Sequence, residues 1–566
     1  MKFSGIKALK LAPRWLPVLS LLLGGDPQRA DALNAVNDSV ATLPNTSVTI
    51  APLTNEYVSS SNATAILRVT QPAHGRVIIN TTPASHAELT PLFQFAATQL
   101  SNTVVQVAIP DLYPWYLTNG VWRSMPTNTL ENPDNNWIGG FFPGSLWLIY
   151  EHTGDTNYSN WAKSWQAALA PEQYSTAKDD VSFIINTSFG NGYRITRNAD
   201  YKDILTQTCR SFTNRWSPIA GCLADDFLRP PPQFEVIIDT MVNTEIFFRP
   251  DLARDTNMLD MAISHAGRTL TNHLRADGSV FMRVMYDGAT NGSVLFRDNR
   301  VPIGGLDTWA RGQSWATHAF PLLYRNTGDG LFLDTAKKVA DFYINNAPAD
   351  YVPYWYYPSN SVNTNLLRDS SAAAVTLSGL LDLSQLVTNA ANGAKYWLAA
   401  HQLFVSLSST NYLAVGTTNA ILLHGNPVDA NTDTSLIYGD YYFIESLKRY
   451  QDVYDQTTMS YVPETNYSGT DTFTCQVCDS SGASATATVT VTVGLVAQIS
   501  WSPVTHRPVI SFPTAGGKKY FVQFVDSLAP PASWNVLATN LPGTGSVISI
   551  TDANPPGRRF YRAGEQ

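Results

Sequence analysis

The sequence predicts a multidomain chain in which an all-α (α/α)6 toroid is combined with all-β sandwich modules. Three observations predict it. The texture changes from β-like to helical and back, the helical stretch repeats internally, and the two β-like stretches complete one another. The 566 residues also exceed what one hydrophobic core usually organises. A hydrophobic share of 44% against 14% charged residues belongs to folded domains rather than to disorder.

Residues 33–85 carry short β-like runs at Ser47–Leu53, Ala65–Thr70 and Arg76–Ile79, the last two separated by a turn at Pro72–Gly75. Within 456–495, Ser484–Val493 alternates apolar residues with threonine at period two, as a half-buried strand does. Neither stretch holds the roughly seven strands that a sandwich needs. They are therefore expected to be two halves of one module, with the helical domain 86–455 inserted between them. Two separate small β domains are the alternative. Asn37 through the Pro72–Gly75 turn resembles the opening of bacterial immunoglobulin-like repeats, and Tyr461–Phe473 with Asp479–Ala483 resembles their closing half. Residues 496–566 form a further β module, with Lys519–Phe524, a proline-rich turn at Ala529–Ala532 and Arg558–Arg562.

In the helical stretch, Tyr150–Ala162 with Gly154-Asp155 is echoed by Tyr324–Ala336 with Gly328-Asp329. Poorer copies run from Arg249 to His265 and from Gly393 to His401. Each copy reads as a helix, a glycine stop and a second helix. Helix pairs repeated over this length suggest an arrangement around an axis. Irregular copies and long intervening loops favour a closed ring over an open solenoid.

With 37 basic against 45 acidic residues, the net charge of −8 gives a nucleic-acid partner no electrostatic support. Residues 1–32 read as a signal peptide: Lys2, Lys7, Lys10 and Arg14 precede the apolar run Trp15–Leu23, and Ala30-Asp31-Ala32 offers a cleavage site. The expected location is secreted or periplasmic. The apolar run is too short for a permanent membrane span, and no membrane partner is expected. Export makes a Cys209–Cys222 disulfide plausible, two buried thiols being the alternative. Cys475 and Cys478 sit in a strand pattern at an odd separation, which does not suit a redox or zinc site. Nothing indicates an oligomeric state.

Four constellations carry chemistry. Val236–Phe248 is apolar nearly all round and reads as one buried helix, with Asp239 and Asn243 four apart on one face. A carboxyl buried there is destabilised in its charged form, which suits a general acid; a structural Asp satisfied by its neighbours is the equal alternative. The second acid lies in the doublet Asp179-Asp180, of which Asp179 is expected to face solvent. Two carboxylates on one cavity would keep one protonated near neutral pH. In Trp309–His318, Arg311, Trp315 and His318 share a helix face, and Gln313 lies between them. A guanidinium beside an indole suits a sugar acid, although an Arg–Trp stack around a buried ion pair is the commoner use of that pattern. Last, Asn135–Trp147 places Trp137 at a loop tip before a helix starting near Pro143, with Trp147 in the core.

These four segments, in this order, resemble the family 88 glycoside hydrolases, the unsaturated glucuronyl hydrolases, over residues 110–450. Leu274–Ser279, Asn326–Asp329, Arg368–Ala372 and Ser435–Tyr442 extend the resemblance. It implies an (α/α)6 toroid, neither metal nor cofactor, and an oligosaccharide substrate with a terminal uronic acid that carries a double bond between C4 and C5. It further implies Asp239 as general acid/base with Asp180 as its partner, and Trp137, Arg311, Trp315, Asn243 and Gln313 around the substrate. The chain departs from the family pattern at Ser182, where glycine is usual, and at Phe281-Met282, where a histidine is usual. These departures keep two alternatives open: a toroidal hydrolase or lyase acting on a saturated terminal sugar acid, and a non-catalytic glycan-binding protein.

Overall fold

The computed structural model describes residues 35, 37–42, 46–54, 64–81, 89–126, 137–225, 229–249, 252, 256–299, 307–358, 366–387, 390–427, 432–464, 467, 469–479, 484–494, 497–502, 507–514, 516–527, 533–544, 546–555 and 559–566. The expected signal peptide, Asn135, Asn136 and the turn Ala529–Ala532 lie outside them. The chain forms two compact units, Ser85–Asp452 and Asp31–Ala84 with Val453–Gln566.

The first unit is a ring of helix pairs. Among the described residues, the inner helices are Phe141–Thr153, Ser182–Gly190 continuing as Asn191–Thr196, Thr240–Asn243 continuing as Thr244–Phe248, Ala310–Thr327, Ser370–Leu386 and Ile437–Tyr454. They are apolar or small-polar on almost every side, so burial takes in Phe141–Ile149, Ala310–Leu323 and Ser370–Ser384 without a solvent face. The outer helices Thr90–Val107, Thr156–Ala167, Ala199–Phe212, Thr256–Asn272, Gly330–Asn346 and Ala390–Leu407 are amphipathic. In Gly330–Asn346, for example, Phe332, Ala336, Val339, Ala340 and Tyr343 form the buried stripe.

The repeated Gly-Asp pairs make the corners. Gly154 and Gly328 end inner helices at φ of 69° and 70°, where a Cβ is disfavoured. Asp155 and Asp329 then cap the outer helices, each accepting the backbone N–H two residues on at 2.9 Å.

Contacts between successive inner helices close the ring. Thr376 meets Ser314 at 2.9 Å, Ser446 donates to the Ala374 carbonyl at 3.3 Å, and the rings of Phe141 and Tyr441 lie 5.4 Å apart. The last inner helix thus packs on the first, as an (α/α)6 toroid requires and an open solenoid does not. No described helix is long and apolar enough to cross a membrane.

In the second unit, strands from both ends of the inserted domain pair directly. Asp38–Thr42 runs parallel to Ser484–Val493, and Gly469–Asp479 lies between Ser484–Val493 and Thr64–Val69. Gln456–Pro463 lies between Val48–Ile50 and Gly75–Thr81 in a facing sheet. Ile50, Ile66, Val77, Met459, Tyr461, Phe473, Val489 and Val491 fill the core that these two sheets share. Asp471 pins the halves together: its carboxylate accepts from the backbone N–H groups of Ala73 and His74 at 3.1 and 2.9 Å and from the Tyr461 hydroxyl at 3.1 Å. The C-terminal residues form two three-stranded sheets around Ile510, Phe512, Tyr520 and Val522.

Of the two alternatives for Cys209 and Cys222, the structure shows the unbonded one. Both are free, buried thiols, with Cys209 against the Ile246 carbonyl at 3.6 Å and Cys222 among Ala220, Val236, Val284 and Tyr286. Burial pushes each thiol up to about 12, so neither is a reactive thiolate near neutral pH.

Candidate active site

The site is built where the inner ring meets a small sheet. Strand Gln233–Ile237 pairs with Arg283–Asp287, which also pairs with Val294–Asp298. The chain then turns at Ile238-Asp239 into the short helix Thr240–Asn243. The single buried helix expected over Val236–Phe248 is therefore corrected to strand, turn and helix. A run that is apolar on every side has no period by which to tell the two apart, and pairing of Val236 with Val284 decides it. The consequence is functional. Asp239 stands at the opening of a helix, part-exposed, instead of inside one.

The doublet comes from the turn before the π-helix Ser182–Gly190, a geometry common at functional sites. Here the expected orientation is reversed. Asp179 is 1% exposed and accepts a hydrogen bond from the Thr240 hydroxyl, while Asp180 is the part-exposed member. Asn243, fully buried, joins the two segments. Its carboxamide oxygen accepts the N–H groups of Ser182 and Phe183, both at 3.0 Å. Its nitrogen donates to the Asp180 carboxylate at 3.1 Å and to the Asp239 carbonyl at 3.4 Å.

Asp180 and Asp239 are electrostatic neighbours. Burial, followed by the charges of Asp179, Asp239 and Asp225, holds the Asp180 carboxyl well above the usual carboxylate range, and the donor from Asn243 opposes them. Asp180 is thereby biased toward its protonated form.

Aromatic rings line one side. Trp137 is part-exposed, with Tyr438 at 4.9 Å, and Phe141 and Phe183 each at 5.8 Å between centroids. Trp315, fully buried, packs on Phe183 at 5.1 Å and on Tyr442 at 5.5 Å. Trp147 is core, its indole N–H bonded to Gln166 at 2.8 Å.

Arg311, Gln313, Trp315 and Asn243, expected around the substrate, are all buried and are held by protein partners. Arg311 is 3% exposed, paired with Asp369 at 3.2 Å and bonded to the carbonyls of Asn426 and Pro427 at 2.7 and 2.5 Å. It also lies over Trp309 and Tyr438, at 4.6 and 5.1 Å. Gln313 is fully buried, donating to the carbonyls of Gly278 and Val339 and accepting from Val280 N–H. Trp315 lies beneath Phe183 with no free ring face, and Asn243 satisfies the protein backbone. Asp180, Asp239 and Trp137 are thus each part-exposed, whereas Arg311, Gln313, Trp315 and Asn243 are buried.

Thr240, Phe183, Asp225 and Tyr438 join the site without having been singled out. For three of them the only signal was adjacency: Thr240 follows Asp239, Phe183 lies three residues after Asp180, and Tyr438 falls inside the Ser435–Tyr442 motif, whereas Asp225 gave none.

An unsaturated glucuronyl hydrolase of Formosa agariphila is 35% identical over 348 residues, which cover 59% of this chain and 86% of that relative. That extent of identity decides the family. The chain belongs to the unsaturated glucuronyl hydrolases. An unsaturated chondroitin disaccharide hydrolase of Streptococcus pneumoniae is 29% identical, covering 56% of this chain and 82% of its own length. A solved unsaturated glucuronyl hydrolase specific for heparin superposes with a TM-score of 0.58 at 33% identity, over 64% of this chain and 97% of that one. The Bacillus sp. GL1 unsaturated glucuronyl hydrolase, at 22% identity and a TM-score of 0.59, shares the fold. A bacterial Ig domain profile matches residues 405–492, of which the β part is Gln456–Pro463, Gly469–Asp479 and Ser484–Val493. This unsaturated glucuronyl hydrolase is therefore a toroidal glycoside hydrolase that carries an immunoglobulin-like module.

Proposed function

We propose that Asp239 is the general acid/base of this hydrolase and Asp180 its charge partner. The single observation that carries the assignment is that these two acids, 59 residues apart in sequence, are electrostatic neighbours in a part-exposed, aromatic-lined site. Trp137 is the ring on which the terminal sugar stacks, since it keeps an exposed face where Trp315 does not.

The reaction then follows from the substrate's vinyl ether. The Asp239 carboxyl transfers its proton to C4, and positive charge develops at C5 and the ring oxygen. A water molecule adds to C5 and returns a proton to the Asp239 carboxylate, leaving a hemiketal. Ring opening gives a ketone at C5 and a hemiacetal at C1, which collapses to an aldehyde and releases the neighbouring sugar as an alcohol. One water is consumed and the acid is regenerated. No bond forms between sugar and enzyme, so the carboxylate spacings of retaining and inverting glycosidases do not apply.

The natural substrate class is an oligosaccharide left by a polysaccharide lyase. The test is loss of the ultraviolet absorbance of the conjugated enoate on unsaturated disaccharides from heparin, chondroitin, ulvan, gellan and xanthan. Turnover on at least one, lowered about 10²- to 10⁴-fold in Asp239→Asn, is expected. An Asp239→Asn enzyme with wild-type turnover would remove the assignment. We also propose export to the periplasm or medium, supported by the basic, apolar and small-residue pattern of residues 1–32. Fractionation of cells expressing the full chain tests it, and retention of the uncleaved chain in the cytoplasm would refute it.

A further inference from the structure

We propose that Asn243 is a positioning residue, a strut that fixes Asp180 relative to Asp239 and sets the protonation of the pair. It rests on the assignment of those two acids made above.

The argument begins with the short helix. Asp239 opens it, and Thr240 and Asn243 are its first and last residues. Both side chains reach across to the Asp179-Asp180 doublet, Thr240 to Asp179 and Asn243 to Asp180. One turn of helix therefore presents one catalytic acid and grips the turn that carries the other.

The carboxamide has one possible orientation. Two backbone N–H donors, from Ser182 and Phe183, face its oxygen at 3.0 Å. The –NH2 group must then face Asp180 and the Asp239 carbonyl, at 3.1 and 3.4 Å. All these partners lie on the two segments that hold the acids, and the side chain is fully buried. It cannot touch a sugar, so its effect on the reaction passes through Asp180.

That effect has a sign. The charged groups facing Asp180 are Asp179 from its own turn, Asp239 from the short helix and Asp225 from the loop before the small sheet. Each favours the protonated carboxyl, and so does burial. The N–H of Asn243 is the group that opposes them. Asn243→Asp keeps an oxygen for the two backbone donors but turns the other toward Asp180, adding a fourth negative neighbour in place of a donor. The pair then holds its proton to higher pH.

The experiment is the pH–rate profile of the full-length Asn243→Asp enzyme on an unsaturated disaccharide that the wild type turns over. Expected are limbs moved upward by about half a pH unit or more, kcat on the acid limb lowered about threefold or more, and KM within about twofold, because no sugar contact is lost. A kcat and profile superposable on the wild type, or an equal loss at every pH without displacement, overturns the strut. Should Asn243→Asp fail to fold, Asn243→Ala decides: it removes the donor to Asp180 without adding a charge, and the same limbs must move in the same direction. An unmoved profile there overturns the proposal. Asp239→Asn, run alongside, separates the two levels. If that variant keeps its rate, the acid assignment falls, whereas a dead Asp239→Asn beside an unmoved Asn243→Asp removes only the strut.

Discussion

Gly144→Ala tests whether the ring of inner helices holds the acids rigidly. Gly144 lies in Phe141–Thr153, and a Cβ there would stand 2.6 Å from the Thr187 carbonyl oxygen and 2.8 Å from Cε2 of Tyr441. Ordinary contact begins at 3.4 Å, so the π-helix carrying Thr187 must retreat by 3.4 − 2.6 = 0.8 Å, or the helix must yield toward Tyr441, where it is blocked. Packed interiors do not absorb such a step freely, and overpacking costs about 1–3 kcal/mol. The same π-helix begins with Ser182 and Phe183, whose N–H groups orient Asn243 and through it Asp180. A shift of that size at a reacting group lowers rate by about 10²-fold, so a loss of about tenfold or more in kcat is expected. Urea unfolding and initial-rate assays on one preparation measure both. Stability within about 0.5 kcal/mol of wild type together with kcat within about twofold would refute a rigid ring.

Asp180→Asn is expected to raise stability while lowering kcat. Its folded carboxyl titrates above its unfolded value, so the native state binds more protons and wild-type stability falls as pH rises from the ordinary carboxylate range to the native value. The gain in melting temperature over wild type should therefore grow from pH 4 to pH 8, and a constant or negative difference would contradict the sign. Asp471→Ala leaves the N–H groups of Ala73 and His74 without their acceptor and the Tyr461 hydroxyl with only the His74 carbonyl, and should destabilise the immunoglobulin-like module by about 2–4 kcal/mol, read from its own unfolding transition. A reductant should leave the melting temperature unchanged, and thiol titration after denaturation should find Cys209, Cys222, Cys475 and Cys478 all free.

Much of the architecture was legible because it rests on local chemistry. Gly154-Asp155 and Gly328-Asp329 mark helix corners wherever they occur, since one residue supplies the left-handed turn and the next the cap. The pairing of 38–81 with 456–493 was expected from strand number, because half a sandwich cannot bury its own face, and from the resemblance of the two pieces to halves of an immunoglobulin-like repeat. The site was less legible, for reasons that differ by residue. Asp179 and Asp180 are adjacent, and only the turn into the π-helix decides which is buried. Val236–Phe248 hides a strand because an apolar run lacks a period. Arg311 suits a substrate carboxylate as well as a buried ion pair, the commoner use of that pattern, and its pairing with Asp369 comes from a segment distant in sequence. Asn243 was recognisable as part of the site from its spacing to Asp239, but its partners Ser182 and Phe183 come from another segment, so its direction of action was not.

The most direct measurement is a proton NMR time course of the reaction in heavy water. If Asp239 protonates C4 before the sugar is released, the C4 vinyl signal disappears in step with sugar release. One deuterium then enters C4 from a single face, and no free unsaturated monosaccharide is seen. An unsaturated monosaccharide accumulating with its C4 proton intact would mean that the glycosidic bond breaks first, and the acid/base role given to Asp239 would be wrong.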